Sequence, residues 1–247
     1  MPRKAREKSE SGIYHVMLRG INRQTIFEDE EDYRKFLLIL LDYQTACGYK
    51  LYAYCLMPNH IHLLIREGEE PLEQVFKRVS GKFVYWYNAK YRRTGHLFQD
   101  RFRSEPVNTD SYFLTVLRYI HQNPRKANLC RDLNRYKYSS YRTYARNPLI
   151  DCEFTFGILS RDEFAEFNEA DVQENCLDVT DEVGVRLTDE EVRNRLFHYA
   201  GCSDILQFKM LEESKQARAI RKLKEDDIAI RQISRVSDIS CYYIKQL

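Results

Sequence analysis

The stretch Met57-Pro58-Asn59-His60-Ile61-His62-Leu63-Leu64-Ile65 constrains the fold of this chain more than any other. Pro58 and Asn59 break an otherwise apolar, β-prone sequence, so Leu51 to Leu56 and His60 to Arg66 read as two strands joined by a tight turn. Strands joined that closely pair antiparallel and need no crossover. Side chains on a strand alternate faces, which puts His60 and His62 on one face and Ile61, Leu63 and Ile65 on the other. The two histidine Cα atoms then lie roughly 6.5 Å apart. Imidazoles at that spacing can share a metal ion or act as hydrogen-bonded sheet residues, and spacing alone leaves both readings open.

The sequence around the hairpin alternates strand and helix signals. Tyr14 to Arg19 reads as a strand ending at Gly20. Glu30 to about Ala46 reads as a helix, with Phe36, Leu37, Leu40 and Leu41 on one face and Gly48 placed to end it. Pro71 stands at the start of a long helix reaching about Tyr91. Gly95 to Val107 reads as a loop and a strand. Asp110 is expected to cap a further helix that ends near Asn123, because Pro124 disfavours helical geometry in the residue before it. Strand-helix-strand-strand-helix-strand is an α+β pattern, an antiparallel sheet with helices packed on it. Residues 1–145 hold this pattern. Residues 146–187 read as an acidic linker or arm. Residues 188–247 begin with a capping box at Thr188 and read as helical throughout.

Charge divides the chain in the same way. Residues 1–145 carry 25 Lys and Arg against 16 Asp and Glu, whereas residues 151–190 carry 2 against 13. A basic first region suits a polyanionic partner. The seven cysteines are scattered without a C-x-x-C pair, which argues against a zinc ribbon and fits reduced thiols. No apolar run reaches the roughly 20 residues of a membrane span, and no signal-peptide core follows the basic start. A cytoplasmic location with no membrane partner is the expectation.

Tyr119 and Asn123 are four apart in a helical pattern and share a face. A phenolate is a competent nucleophile beside a metal-polarised phosphate, although a tyrosine in a chain with 18 of them can equally just pack. Two imidazoles plus an amide oxygen suit Mn²⁺, and Mg²⁺ less naturally. Arg19, Arg23, Lys82, Arg92, Arg93, Arg101 and Arg103, with aromatic residues such as Tyr85, are candidates for a cationic groove around single-stranded nucleic acid. Near the C-terminus, Ile228 to Val236, the turn Ser237 to Ser240 and a helix from Cys241 resemble a helix-turn-helix. That motif would bring Arg231 and Arg235 toward duplex DNA.

The motifs together resemble the HUH-superfamily Y1 transposases, the IS200-like family and especially the REP-associated tyrosine transposases. The matching residues are Tyr14-His15-Val16 with Arg19-Gly20 and Arg23, and Met57 to Ile65. They continue with Gly95-His96-Leu97-Phe98-Gln99-Asp100-Arg101-Phe102, Arg118 to Pro124, and Tyr138-Ser139-Ser140-Tyr141. The resemblance implies a ferredoxin-like sandwich over about residues 11–145. It implies a divalent metal, Mg²⁺ or Mn²⁺, on His60 and His62, completed by Asn123 with Gln122 as the fallback. It also implies that Tyr119 attacks single-stranded or hairpin DNA and stays attached to a 5′-phosphate, with Tyr112 as second candidate. Such proteins act as monomers or homodimers. A DNA-binding regulator without turnover, or a water-using metal hydrolase, are the alternatives.

Overall fold

The computed structural model describes residues 6–170, 176–177, 189–226, 228 and 230–247, apart from the side chain of Arg231. The chain forms two compact units, 1–178 and 179–247.

In the first unit, β1 (Ile13–Arg19), β2 (Lys50–Leu56), β3 (His60–Arg66) and β4 (Arg103–Pro106) form one antiparallel sheet in the order β2-β3-β1-β4. Helices α1 (Glu30–Cys47), α2 (Leu72–Lys90) and α3 (Asp110–Lys126) complete the expected ferredoxin-like α+β fold. Helix α1 starts at a reciprocal cap between Asp29 and Asp32 and stops at Gly48, whose φ of 66° suits glycine. Helix α2 starts after Pro71. Helices α1 and α2 pack against each other, and α3 packs on β2 and β3. The sheet face turned away from α3 is apolar: Val16, Leu18, Ile61, Leu63 and Ile65 share it and are all buried. Each such side chain contributes about 1.5–3 kcal/mol of transfer free energy.

Three expectations need correction. The N-cap of α3 is Thr109, whose side chain accepts the Tyr112 N–H, rather than Asp110. The helix also passes through Pro124 to Lys126. Proline in the last turn removes one intrahelical hydrogen bond, and the Ala127 N–H still reaches the Asn123 carbonyl. Asn123 therefore stays in register one turn after Tyr119. The third correction concerns residues 149–170, which are not a linker: Leu149, Ile150 and Phe164 belong to the core, and α4 (Cys152–Ile158) and α5 (Glu163–Glu169) are helical. Residues 139–151 also cover the outer edge of β2, with Ser140 N–H donating to Tyr54 and Asp151 N–H to Leu51. A strand edge that would otherwise be open is thereby satisfied.

A buried polar latch fixes this arm to α3. His121 Nδ1 meets Asn168 Oδ1 at 2.6 Å, and its Nε2 meets Ser140 Oγ at 3.0 Å. The Gln122 amide donates to the carbonyls of Asn168 and Ala170, both at 2.7 Å. Burial holds His121 neutral, with its pKa down from 6.5 to about 4. The unfolded ring takes up a proton first, so stability is lost as pH falls from 6.5 toward 4. About 2 kcal/mol should disappear between pH 7 and pH 5 from this residue. Urea unfolding at the two pH values should show a smaller difference in His121→Gln; an unchanged difference would remove His121 as its source.

The second unit contains α6 (Asp189–Ala200), α7 (Ile205–Met210), α8 (Glu213–Glu225), α9 (Ile230–Ser237) and α10 (Cys241–Gln246). They enclose a core of their own, including Val192, Leu196, Phe208, Ile220, Leu223, Ile233, Val236 and Ile244. Thr188, where the capping box was expected, lies outside the described residues. Between α9 and α10, Asp238 takes a left-handed φ of 59° and Ser240 caps α10 by accepting the Tyr243 N–H. No helix among the described residues is long and apolar enough to cross a membrane.

Candidate active site

Cross-strand register gathers the polar groups of the sheet on the face covered by α3. His60 lies opposite Arg19, His62 opposite Met17, and His15 opposite Glu105. Directly paired residues share a face, as do residues two apart on one strand. His60, His62, His15, Arg19, Arg103 and Glu105 therefore all face α3. The histidine pair is brought together as expected, with ring centroids 5.0 Å apart.

His62 is fully buried. Its Nδ1 lies 2.9 Å from His15 Nε2, and its Nε2 makes no hydrogen bond. Burial, then the neighbouring His15 and His60, hold its pKa well below the usual histidine value, so the ring is neutral and able to ligate. His60 is half-buried at the mouth of this face. Its Nδ1 is 2.7 Å from Asn59 Oδ1, and its Nε2 is 3.4 Å from Asn123 Oδ1. Both partners are amide oxygens that accept only; the shorter contact favours the proton on Nδ1, which leaves Nε2 and Asn123 Oδ1 facing each other as two lone-pair donors.

Helix α3 brings Tyr119 onto the same group. Its ring centroid is 5.6 Å from that of His62 and 5.8 Å from that of His15. Lys126 Nζ lies 4.5 Å from the centre of the Tyr119 ring, a position that favours negative charge on the phenol oxygen. Tyr112, seven residues earlier, contacts Glu105 and Cys176, and burial with the adjacent carboxylate pushes its phenol well above the ordinary tyrosine value. That environment opposes a phenolate nucleophile. Gln122 is committed to the α5 latch and does not join the histidines.

The basic candidates divide by location. Arg19 and Arg103 flank the histidines on the sheet face. Arg23 and Arg93 lie at the end of the sheet where β3 begins: Gly20 N–H donates to Asn59, Ile21 N–H to Leu97, and Arg93 reaches Gln24 and the His96 carbonyl. Arg92 is exposed beside them with φ of 49°. Lys82 is on α2, away from the site, paired with Asp42 at 2.9 Å. Arg101 is an exposed loop residue near Glu73. In the second unit Arg235 is held by both oxygens of Asp189, and the Arg231 side chain lies outside the description.

Sequence reasoning assigned no role to His15, Glu105 or Lys126. His15 stood within a matching motif, and its position in β1 follows from alternation. Lys126 is seven residues after Tyr119, on a similar helix face. Nothing in the sequence pairs Glu105 with His15, because that contact depends on which strands are neighbours.

Residues 8–123 match the family described as "Transposase IS200 like". These residues form an IS200-like transposase domain. A solved structure of a REP-associated tyrosine transposase bound to a REP hairpin is similar in fold, with a TM-score of 0.52 and 17% identity over 60% of this chain and 90% of that one. A putative transposase from Deinococcus radiodurans R1 shares 20% identity over 49% of this chain and 96% of its own, at a TM-score of 0.35. No curated protein matches. The transposase domain thus ends its matched region at Asn123, the last residue of the group that faces the histidines.

Proposed function

We propose that the transposase domain cuts and rejoins single-stranded or hairpin DNA by transesterification, with Tyr119 as nucleophile and a divalent cation on His60, His62 and Asn123. The observation carrying this reading is the convergence of Tyr119 on a histidine pair, one of whose buried nitrogens, His62 Nε2, makes no hydrogen bond. A buried polar atom without a partner costs about 1–3 kcal/mol, which ligation would remove. Two imidazoles and an amide oxygen fit Mn²⁺ or Mg²⁺. Among the described residues no group of three His, Cys, Asp or Glu is placed to hold a metal, and the Asn123 amide oxygen would supply the third protein ligand.

The bound cation would polarise the scissile phosphate and offset charge on its oxygens. Tyr119 gives its phenolic proton to solvent, which returns one to the leaving oxygen, and the phenol oxygen attacks phosphorus. The new O–P bond forms as the P–O3′ bond breaks, and the leaving oxygen ends as a 3′-hydroxyl. One phosphodiester replaces another, so the step reverses as rejoining without ATP. Lys126 stabilises the phenolate, and Arg19, Arg23, Arg92, Arg93 and Arg103 hold the strand's phosphates. Lys82 and Arg101 would contact only a strand that extends beyond the site. Tyr119, both histidines and Asn123 come from one chain, which favours action as a monomer. The test is a denaturing gel of end-labelled DNA hairpins incubated with the protein and Mn²⁺. A protein–DNA adduct supports the reading; cleavage without adduct indicates hydrolysis by water, and binding without cleavage a regulator.

The second unit is proposed to bind duplex DNA through α9 and α10 as a helix-turn-helix. Exposed Tyr242 and Lys245 on α10 support this, together with the capped turn. Arg231 remains a candidate DNA-binding residue, and Arg235 would have to leave Asp189. Deleting residues 188–247 should weaken binding to a hairpin flanked by duplex. The dependence of log affinity on log salt should also flatten by about 0.9 for each phosphate that the truncated protein no longer neutralises. Cleavage of a short single strand should change little. Equal affinities and slopes in a salt series would assign these helices to packing instead.

A further inference from the structure

We propose that Glu105 and His15 are positioning residues that fix the His62 imidazole in the Nδ1–H tautomer, with its Nε2 lone pair turned into the site. This rests on the reading of His62 as a metal ligand.

The three residues lie in a row across β4, β1 and β3. Glu105 Oε1 accepts from His15 Nδ1 at 2.7 Å and from the Leu177 N–H at 2.8 Å. His15 is fully buried, and its Nε2 is 2.9 Å from His62 Nδ1. A carboxylate bonded to a backbone N–H accepts, so His15 Nδ1 carries a proton. One proton then lies between His15 Nε2 and His62 Nδ1. Placed on His62, it leaves both rings neutral, satisfies three nitrogens of the four, and leaves the fourth, His62 Nε2, as a lone pair. Placed on His15, it makes that ring a cation and forces a neutral His62 to carry its proton on Nε2, where no hydrogen bond receives it. The first arrangement leaves no buried donor unsatisfied. It also gives His62 the outer-shell support that metal-ligating imidazoles ordinarily have, extended by one further ring. The ladder fixes the spacing: His15 pairs directly with Glu105, and Met17, two residues on, pairs with His62.

The test uses the full chain with ¹⁵N-labelled histidine, free of metal, and long-range ¹H–¹⁵N spectra at pH 7.5. Wild-type His62 should show a protonated Nδ1 and an unprotonated Nε2. His15→Phe removes the acceptor, and His15→Gln retains one in its amide oxygen. The phenylalanine variant should show His62 mixed between tautomers and a Mn²⁺ affinity reduced 10- to 100-fold by calorimetry, the scale of losing an outer-shell partner. The glutamine variant should recover most of both. A wild-type His62 protonated on Nε2 would overturn the proposal. So would an unchanged His62 spectrum and unchanged Mn²⁺ affinity in His15→Phe. Should these variants not fold, the wild-type spectrum decides alone. If the wild-type tautomer is as stated but wild-type protein takes up no Mn²⁺, the positioning stands and the metal reading of the site fails.

Discussion

Tyr119→Phe should bind hairpin DNA nearly as wild type does and form no covalent adduct. The substitution removes one oxygen and leaves the ring that packs 5.6 Å from His62 and 5.8 Å from His15. Lys126 keeps its place over that ring. The fold should therefore survive, and the arginines that would hold phosphate are untouched. Cleavage should fall by on the order of 10⁴-fold or more, the scale on which enzymes lose activity with their nucleophile. Tyr112 is the only other tyrosine that shares the helix and a similar face, and it is poorly placed to substitute. It contacts Glu105, and burial and that carboxylate both disfavour its phenolate. A labelled hairpin, Mn²⁺ and a denaturing gel decide the matter. Adduct formation at the wild-type rate by the Phe variant would make Tyr112 the nucleophile. Adduct-free cleavage at the wild-type rate would make it water.

Local signals made much of this site legible in the sequence. Alternation along β3 put His60 and His62 on one face, and the spacing of four put Tyr119 and Asn123 on another element's face. Both inferences need only the period of a strand or helix. Legibility failed where a contact depends on the neighbour order of strands. The pairing of His15 with Glu105 joins residues 90 apart and exists because β1 lies between β3 and β4. The arm was misread for a related reason. Its acidic composition suggested a linker or arm, but a few residues in it carry packing that a linker lacks: Phe164 stacks on Tyr144, and Asn168 meets His121. Composition averages over such residues. The end of α3 was set too early because the rule for proline describes a preference of the preceding residue, and a final turn tolerates the loss of one hydrogen bond.

His60→Ala and His62→Ala should both lose metal-dependent cleavage, yet differ in stability. Each removes one of the three donors proposed for the cation. A cation's stabilisation of transition-state charge is several kcal/mol, so cleavage should fall by roughly three orders of magnitude. The two histidines differ in burial. His60 is half-buried, and its loss frees the half-buried side chain of Asn59 and removes only a long contact, 3.4 Å, to Asn123. Its effect on stability should stay within about 0.5 kcal/mol. His62 has no exposed surface, and its removal leaves a cavity and strips His15 Nε2 of its partner. A buried group left without its hydrogen bond costs about 1–3 kcal/mol. Urea unfolding of metal-free protein should therefore separate the variants, while Mn²⁺ calorimetry and the cleavage gel should not. If either variant cleaved like wild type, or both bound Mn²⁺ with unchanged affinity, the pair would be structural and the neutral ring of His62 merely a core residue. If His62→Ala proved no less stable than His60→Ala, the row of hydrogen bonds from Glu105 through His15 would contribute nothing to the sheet. His62 would then be held by packing, from its cross-strand neighbours Met17 and Cys55 and from the Tyr119 ring.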